Sequence, residues 1–217
     1  MAQIFIIGAT GGVGHRLAPL LVEAGHEVRG LHRKPEQAED LRAAGVTPAH
    51  GDIMEMSAED VKSAAEGADI IVFSAGAAGS GLDRTTAIDG EGLKKAITAA
   101  QAHGARLYLV SVFPDARRGG ELGDGFEHYM KVKKDADVAL AASGLDWVIL
   151  RPGTLTHEDA DGMVTAGRAI AYGDVKRGNV AATLAALIAT PEINHEIIEL
   201  TDGDTPVADA VAALRRG

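Results

Sequence analysis

Residues 4–14 read Ile-Phe-Ile-Ile-Gly-Ala-Thr-Gly-Gly-Val-Gly, and the order of side-chain types in this stretch decides the fold. Four consecutive apolar residues fit a short strand covered on both faces, as in a parallel sheet with helices on either side. Gly8, Gly11 and Gly14 follow at three-residue intervals, and Val13, Leu17 and Leu21 then set a helical period. Glycines at a strand-to-helix turn let backbone N–H groups approach a pyrophosphate, and the helix N-terminus adds partial positive charge. The spacing is Gly-x-x-Gly-x-x-Gly rather than the commoner Gly-x-Gly-x-x-Gly. Nucleotide binding is therefore expected at this turn; a purely structural turn is the alternative.

Outward from it, strands and helices alternate. Strands are expected over Glu27–Leu31, Val46–His50, Asp69–Ser74, Arg106–Val112 and Asp146–Leu150. Helices are expected from Pro35 to Ala44, Ser57 to Glu66 (with Ser57 and Asp60 as a capping box), Asp83 to His103 and Phe126 to Ala142. The tail gives strand-like pieces near Met163–Tyr172, a helix over Asn179–Ala189, a strand over Glu196–Leu200 and a last helix from Thr205. Such alternation predicts right-handed βαβ units: an α/β, doubly wound parallel sheet in three layers, one domain over 1–217, with a small substrate-side region mainly at 153–178. Pro19 falls inside the first helix, where it removes a hydrogen bond.

The 217 residues are 46% hydrophobic and 24% charged, ordinary for a globular domain, and the net charge is −10. That charge argues against nucleic acid or an anionic membrane as partner. The chain has no cysteine, which excludes disulfides, thiolate nucleophiles and cysteine metal sites. Its eight histidines are scattered without ligand spacing, so no metal is expected. No apolar run reaches the roughly 20 residues that span a bilayer, and nothing resembles a signal peptide, so a cytoplasmic location is expected. No P-loop and no Gly-x-Ser-x-Gly elbow occurs.

The second strand ends Leu31-His32-Arg33-Lys34, with Arg33 19 residues after Gly14. An acidic residue there would suit the ribose of NAD; a cationic pair suits the 2′-phosphate of NADP, unless it is a solvated surface pair. Asp52, followed by Ile53, closes the third strand and is placed to bond an adenine amino group or to make a plain turn after Gly51, while Ser74, Ala75 and Gly76 leave room for a ribose or serve loop flexibility. Tyr129 and Lys133 form Tyr-x-x-x-Lys on one helix face, where a nearby ammonium lowers a phenol's pKa for acid–base work; a surface tyrosine beside the lysine-rich face of Lys131, Lys133 and Lys134 is the alternative. Ser111, at a strand end, is placed to bond the same substrate oxygen. Tyr172 and Lys176 repeat the spacing around Gly173, in a turn.

Together the glycine turn, Ser111, Tyr129-x-x-x-Lys133 and Arg151-Pro152-Gly153 resemble a short-chain dehydrogenase/reductase of the atypical branch, with its NAD(P)H-binding, NmrA-like and epimerase/dehydratase members. The resemblance implies a Rossmann-type fold and a catalytic tetrad of Asp89, Ser111, Tyr129 and Lys133. It also implies a pyrophosphate site of Thr10, Gly11, Gly12, Val13 and Gly14 beside Gly8, with Arg33 and Lys34 at the 2′-phosphate and Pro152 among the cofactor contacts. Ser111 would polarise a carbonyl, Tyr129 exchange the proton, and Lys133 hold the nicotinamide ribose and lower the tyrosine's pKa. Three features depart from the family: a single serine in Val110-Ser111-Val112, a glycine-rich loop from Ser111 to Tyr129 carrying Arg117 and Arg118, and Asn179 where Asp is usual. The implied activity is NADP-dependent oxidation or reduction of a small carbonyl or alcohol by a monomer or homodimer. Epimerase/dehydratase chemistry, or a non-catalytic NADP-sensing role, is the alternative.

Overall fold

The computed structural model describes residues 1–114, 116 and 123–215. Arg117, Arg118, Gly119 and Gly120, in the glycine-rich stretch, lie outside the described residues.

The chain runs β1 (Gln3–Ile7), α1 (Gly14–Glu23), β2 (Glu27–His32), α2 (Gln37–Ala43), β3 (Thr47–His50), α3 (Ala58–Ala64), β4 (Ile70–Phe73) and α4 (Leu82–Thr85). A π-helical segment (Thr86–Gly92) leads into α5 (Leu93–His103), then β5 (Arg106–Val110), α6 (Asp124–Ala141) and β6 (Trp147–Pro152). The remainder is β7 (Thr154–Thr156), β8 (Met163–Gly167), β9 (Asp174–Lys176), α7 (Arg177–Ile188), β10 (Glu196–Asp202), β11 (Thr205–Pro206) and α8 (Val207–Ala212).

The main sheet has the order β11-β8-β10-β6-β5-β4-β1-β2-β3. From β3 to β10 every pairing is parallel, with β1 between β2 and β4, as the doubly wound expectation requires. The far edge departs from it: β8 pairs antiparallel with both β10 and β11. β7 and β9 form a separate two-stranded parallel sheet, because the chain leaves β6 at Gly153, where a Cβ would overlap the Gly173 carbonyl.

Successive residues of each central strand bury opposite faces. Ile4, Ile6, Val72, Tyr108 and Val148 pack with Leu17, Leu21, Val180 and Leu184 of α1 and α7. Phe5, Ile7, Ile71, Phe73, Leu107 and Ile149 pack with Val61, Leu93, Ile97 and Leu140 on the other side. Both faces are thus covered, as the unbroken apolar run of β1 predicts. The Ser57–Asp60 capping box is present. Pro19 lies on the exposed side of α1, which continues through it.

Candidate active site

The turn after β1 is built around Gly8, whose φ of +99° is left-handed and whose Cβ would lie 2.5 Å from the Ala75 nitrogen. The Gly11 N–H donates to the Gly8 carbonyl at 2.9 Å and closes the turn. A Cβ on Gly14 would overlap that same carbonyl, so this glycine lets α1 start tight against the turn. His15 Nδ1 donates to the Gly11 carbonyl (2.7 Å) and Arg16 Nη1 to the Gly12 carbonyl (2.8 Å). In a planar trans peptide N–H and C=O point oppositely, so the N–H groups of Gly12 and Val13 face away from these side chains. α1 has no side-chain cap and no acidic residue in its first turn, leaving its positive end for an anion.

The turn opens into a cavity of about 1150 Å³ at the carboxyl ends of β1, β2, β4 and β5. Of the expected cofactor residues, Gly8, Thr10, Gly11, Gly12, Val13, Arg33, Asp52, Ile53, Ser74, Ala75 and Gly76 line it. Gly14, Lys34 and Pro152 are not among the lining residues. Gly14 is buried beneath the turn, Pro152 is buried with its carbonyl accepting from Phe113 N (3.2 Å), and Lys34 is exposed. Gln37 Oε1 accepts from the N–H groups of Arg33 (3.1 Å) and Lys34 (3.0 Å), which fixes the loop after β2. The Arg33 guanidinium lies 3.7 Å from the Asp52 carboxylate, a loose and half-exposed pair.

Asp89, Ser111, Tyr129 and Lys133 all line the same cavity. The π-helical segment carries Asp89 into the interior; one Asp89 oxygen accepts from the Ala77 N–H (2.9 Å) and the other is 3.3 Å from Lys133 Nζ. Gly90 and Gly92 let the segment approach Val132 and Ile53, where a Cβ would find 3.3 and 3.0 Å. Lys133 Nζ also donates to the Val110 carbonyl at 2.9 Å, tying α6 to the end of β5. Burial, then the Asp89 and Asp137 carboxylates, push the Tyr129 pKa above the ordinary 10.0. The expected lowering by Lys133 is therefore corrected: its ammonium is directed at Asp89 and Val110.

Asp137 continues the face of Tyr129 and Lys133 one turn further along α6 and is buried. Desolvation raises its pKa, opposed by the nearby Ser111 hydroxyl, Arg151 and Lys133. Arg151 donates through Nε to one Asp137 oxygen (2.9 Å). The other Asp137 oxygen and Ser111 Oγ are close, yet neither completes a hydrogen bond of ordinary geometry. Asp137 was recoverable from sequence by its four-residue step after Lys133. Arg84 and Arg177 also line the cavity and carry no comparable signal.

Tyr172 and Lys176 serve structure instead. Tyr172 meets Thr154 Oγ1 at 2.5 Å, and Lys176 pairs with Asp161 and Asp202. Asn179 is fully buried and donates to both of those carboxylates and to the Met163 carbonyl, while accepting from Gly162 N. An amide donor thus sits where a third carboxylate would be repelled. Among the described residues no group of three or more His, Asp or Glu could hold a metal, and no helix is long and apolar enough to cross a membrane.

Residues 8–191 match the family described as NAD(P)H-binding. The chain belongs to the NAD(P)H-binding family. It is 36% identical over 214 residues to a Bacillus subtilis protein named an uncharacterized sugar epimerase, YhfK, spanning 98% of this chain and 100% of that one. Among solved structures, a Bacillus halodurans protein provisionally described as an NAD-dependent epimerase/dehydratase superposes with a TM-score of 0.89 at 29% identity, covering 98% and 100% of the two chains. ChuY of Escherichia coli O157:H7, described as an anaerobilin reductase, gives 0.75 at 26% identity over 94% and 98%. This NAD(P)H-binding protein therefore has a Rossmann-type, atypical short-chain dehydrogenase/reductase-like architecture, and a nicotinamide dinucleotide is its family's ligand. The glycine turn fits such a group: it lines the cavity, and α1 presents an uncapped positive end there.

Proposed function

We propose that this protein is an NADP-dependent oxidoreductase that reduces a small carbonyl substrate, with Tyr129 as proton donor. The observation carrying this reading is that Asp89, Ser111, Tyr129 and Lys133 share one cavity with the glycine turn. Gly8, Thr10 and Gly11 to Val13 would hold the pyrophosphate, Asp52 and Ile53 the adenine, Ser74 to Gly76 the ribose, and Arg33 the 2′-phosphate. Bound there, the nicotinamide supplies a hydride. Ser111 Oγ, buried without a geometrically sound partner, is available to donate to the carbonyl oxygen. Tyr129 then passes its phenolic proton to that oxygen, so that hydride and proton together convert the carbonyl to an alcohol. With its pKa pushed above the ordinary value by burial, Tyr129 enters the reaction in the protonated form that a proton donor requires. Lys133 and Asp89 brace one another and hold α6 against β5.

The test is Tyr129→Phe, with NADPH binding followed by fluorescence and turnover by loss of reduced-nicotinamide absorbance on aldehydes, ketones and quinones. Turnover falls about 10²–10⁴-fold, the range of general acid catalysis, while NADPH affinity is kept. Unchanged turnover removes Tyr129 from the mechanism. A second reading, epimerisation through transient oxidation, is favoured by the name of the 36% identical Bacillus subtilis protein. It predicts sugar isomerisation with no net consumption of NADPH.

A further inference from the structure

The charged residues lining the cavity are Arg33, Asp52, Arg84, Asp89, Lys133 and Arg177. Both carboxylates are taken: Asp52 lies 3.7 Å from Arg33, and Asp89 lies 3.3 Å from Lys133. Two guanidinium groups are left without a carboxylate among the described residues, in a chain whose net charge is −10. An uncompensated arginine in a cleft carries a desolvation cost that a counter-anion removes.

The two arginines stand at different ends. The Arg177 side chain lies over the glycine turn, since a Cβ on Gly12 would come 2.7 Å from its Cδ. Its Nη1 is held by the Leu155 (3.2 Å) and Thr156 (2.8 Å) carbonyls, at the glycine-turn end of the cavity. Arg84 belongs to α4, which packs on α6. Two residues later Thr86 Oγ1 meets His128 Nε2 at 2.8 Å, next to Tyr129 in the chain. Arg84 Nε donates to Ser80 Oγ (2.9 Å), whose own proton goes to the Ala77 carbonyl (2.6 Å). The side chain is thereby fixed through Nε alone, and its Nη groups have no partner among the described residues. Leu82, Phe126 and Leu155 supply apolar walls to the same cavity.

We propose that the substrate carries an anionic group, a carboxylate or a phosphate, that Arg84 binds while the reacting carbonyl sits at Tyr129. This rests on the oxidoreductase reading for the carbonyl but not for the anion. The test uses the NADP-loaded full chain, titrated calorimetrically with benzoate, phenyl phosphate and the neutral benzamide. A charge-assisted contact to Arg84 makes an anion bind roughly tenfold tighter than benzamide, ~1.4 kcal/mol. Phenyl phosphate against benzoate separates the two anion chemistries. Arg84→Gln erases the preference and Arg84→Lys retains part of it, with NADPH affinity unchanged in both. Equal binding of benzoate, phenyl phosphate and benzamide to the wild-type protein overturns the proposal, as does a preference that survives in Arg84→Gln. In parallel, 4-carboxybenzaldehyde and 4-carbamoylbenzaldehyde are offered with NADPH. Anion preference in binding with no turnover of either aldehyde leaves the Arg84 site standing and refutes the oxidoreductase reading. Turnover of both at equal kcat/KM, without preference in binding, does the reverse.

Discussion

Replacing Lys133 with Met removes the ammonium between Asp89 and the Val110 carbonyl while keeping an unbranched side chain. The partners are dry, with side chains only 4% and 1% exposed. At their separation of 3.3 Å, an effective dielectric of about 20 gives a gross attraction of roughly 5 kcal/mol. Deleting one member strands Asp89 with a single hydrogen bond, from Ala77 N. Breaking a buried pair this way costs about 3–5 kcal/mol, and that is the loss of stability expected for Lys133→Met. Asp89→Asn relieves it, because the amide leaves no buried charge to compensate. The Asp89→Asn/Lys133→Met double variant then recovers at least about 2 kcal/mol of the summed single losses. Urea unfolding of the four proteins, read as midpoint and slope, measures the coupling. A loss below about 1 kcal/mol for Lys133→Met, or strict additivity in the double variant, refutes the account.

Asn179→Asp exchanges the donor for Asp161 and Asp202 for a third carboxylate, and two charge-assisted bonds go with it. A destabilisation of about 2–5 kcal/mol is expected, and an unfolding midpoint equal to wild type would refute the donor role. Burial pushes the Tyr108 phenol up from 10.0 to about 12. The folded state therefore holds this proton more tightly than the unfolded chain. Its contribution is intact below pH ~10 and is lost as pH rises through about 12, so Tyr108→Phe should flatten the alkaline fall in stability. A fall of unchanged slope in that variant would assign it elsewhere. Arg33→Ser should weaken NADPH about tenfold and leave NADH alone, as loss of one half-exposed phosphate contact implies. Equal weakening of both would remove the 2′-phosphate from Arg33.

The glycine turn was legible because two of its demands are local: Gly8 takes a left-handed φ, and a Cβ on Gly14 would overlap the Gly8 carbonyl six residues earlier. The apolar run of β1 likewise fixes a strand with both faces covered. Tyr129 and Lys133 come from helical periodicity, and the same four-residue step reaches Asp137. Asp89 entered only through family resemblance. The π-helical turn that buries it depends on Gly90 and Gly92 meeting Val132 and Ile53, contacts between segments far apart in sequence. Arg84 and Arg177 gave no signal, since an arginine on a helix reads as solvated until its neighbours are known. The antiparallel β8–β10 edge escaped for a related reason: strand direction is set by tertiary packing, not by strand composition.

Asp89 joins two parts of the wall around the cavity. One oxygen holds Ala77, in the loop after β4, and the other faces the ammonium on α6. Whatever steadies that loop also steadies Lys133, and thermodynamic reciprocity requires the converse. The position of the loop after β4 and that of the Lys133 ammonium are thus tied through a single buried carboxylate.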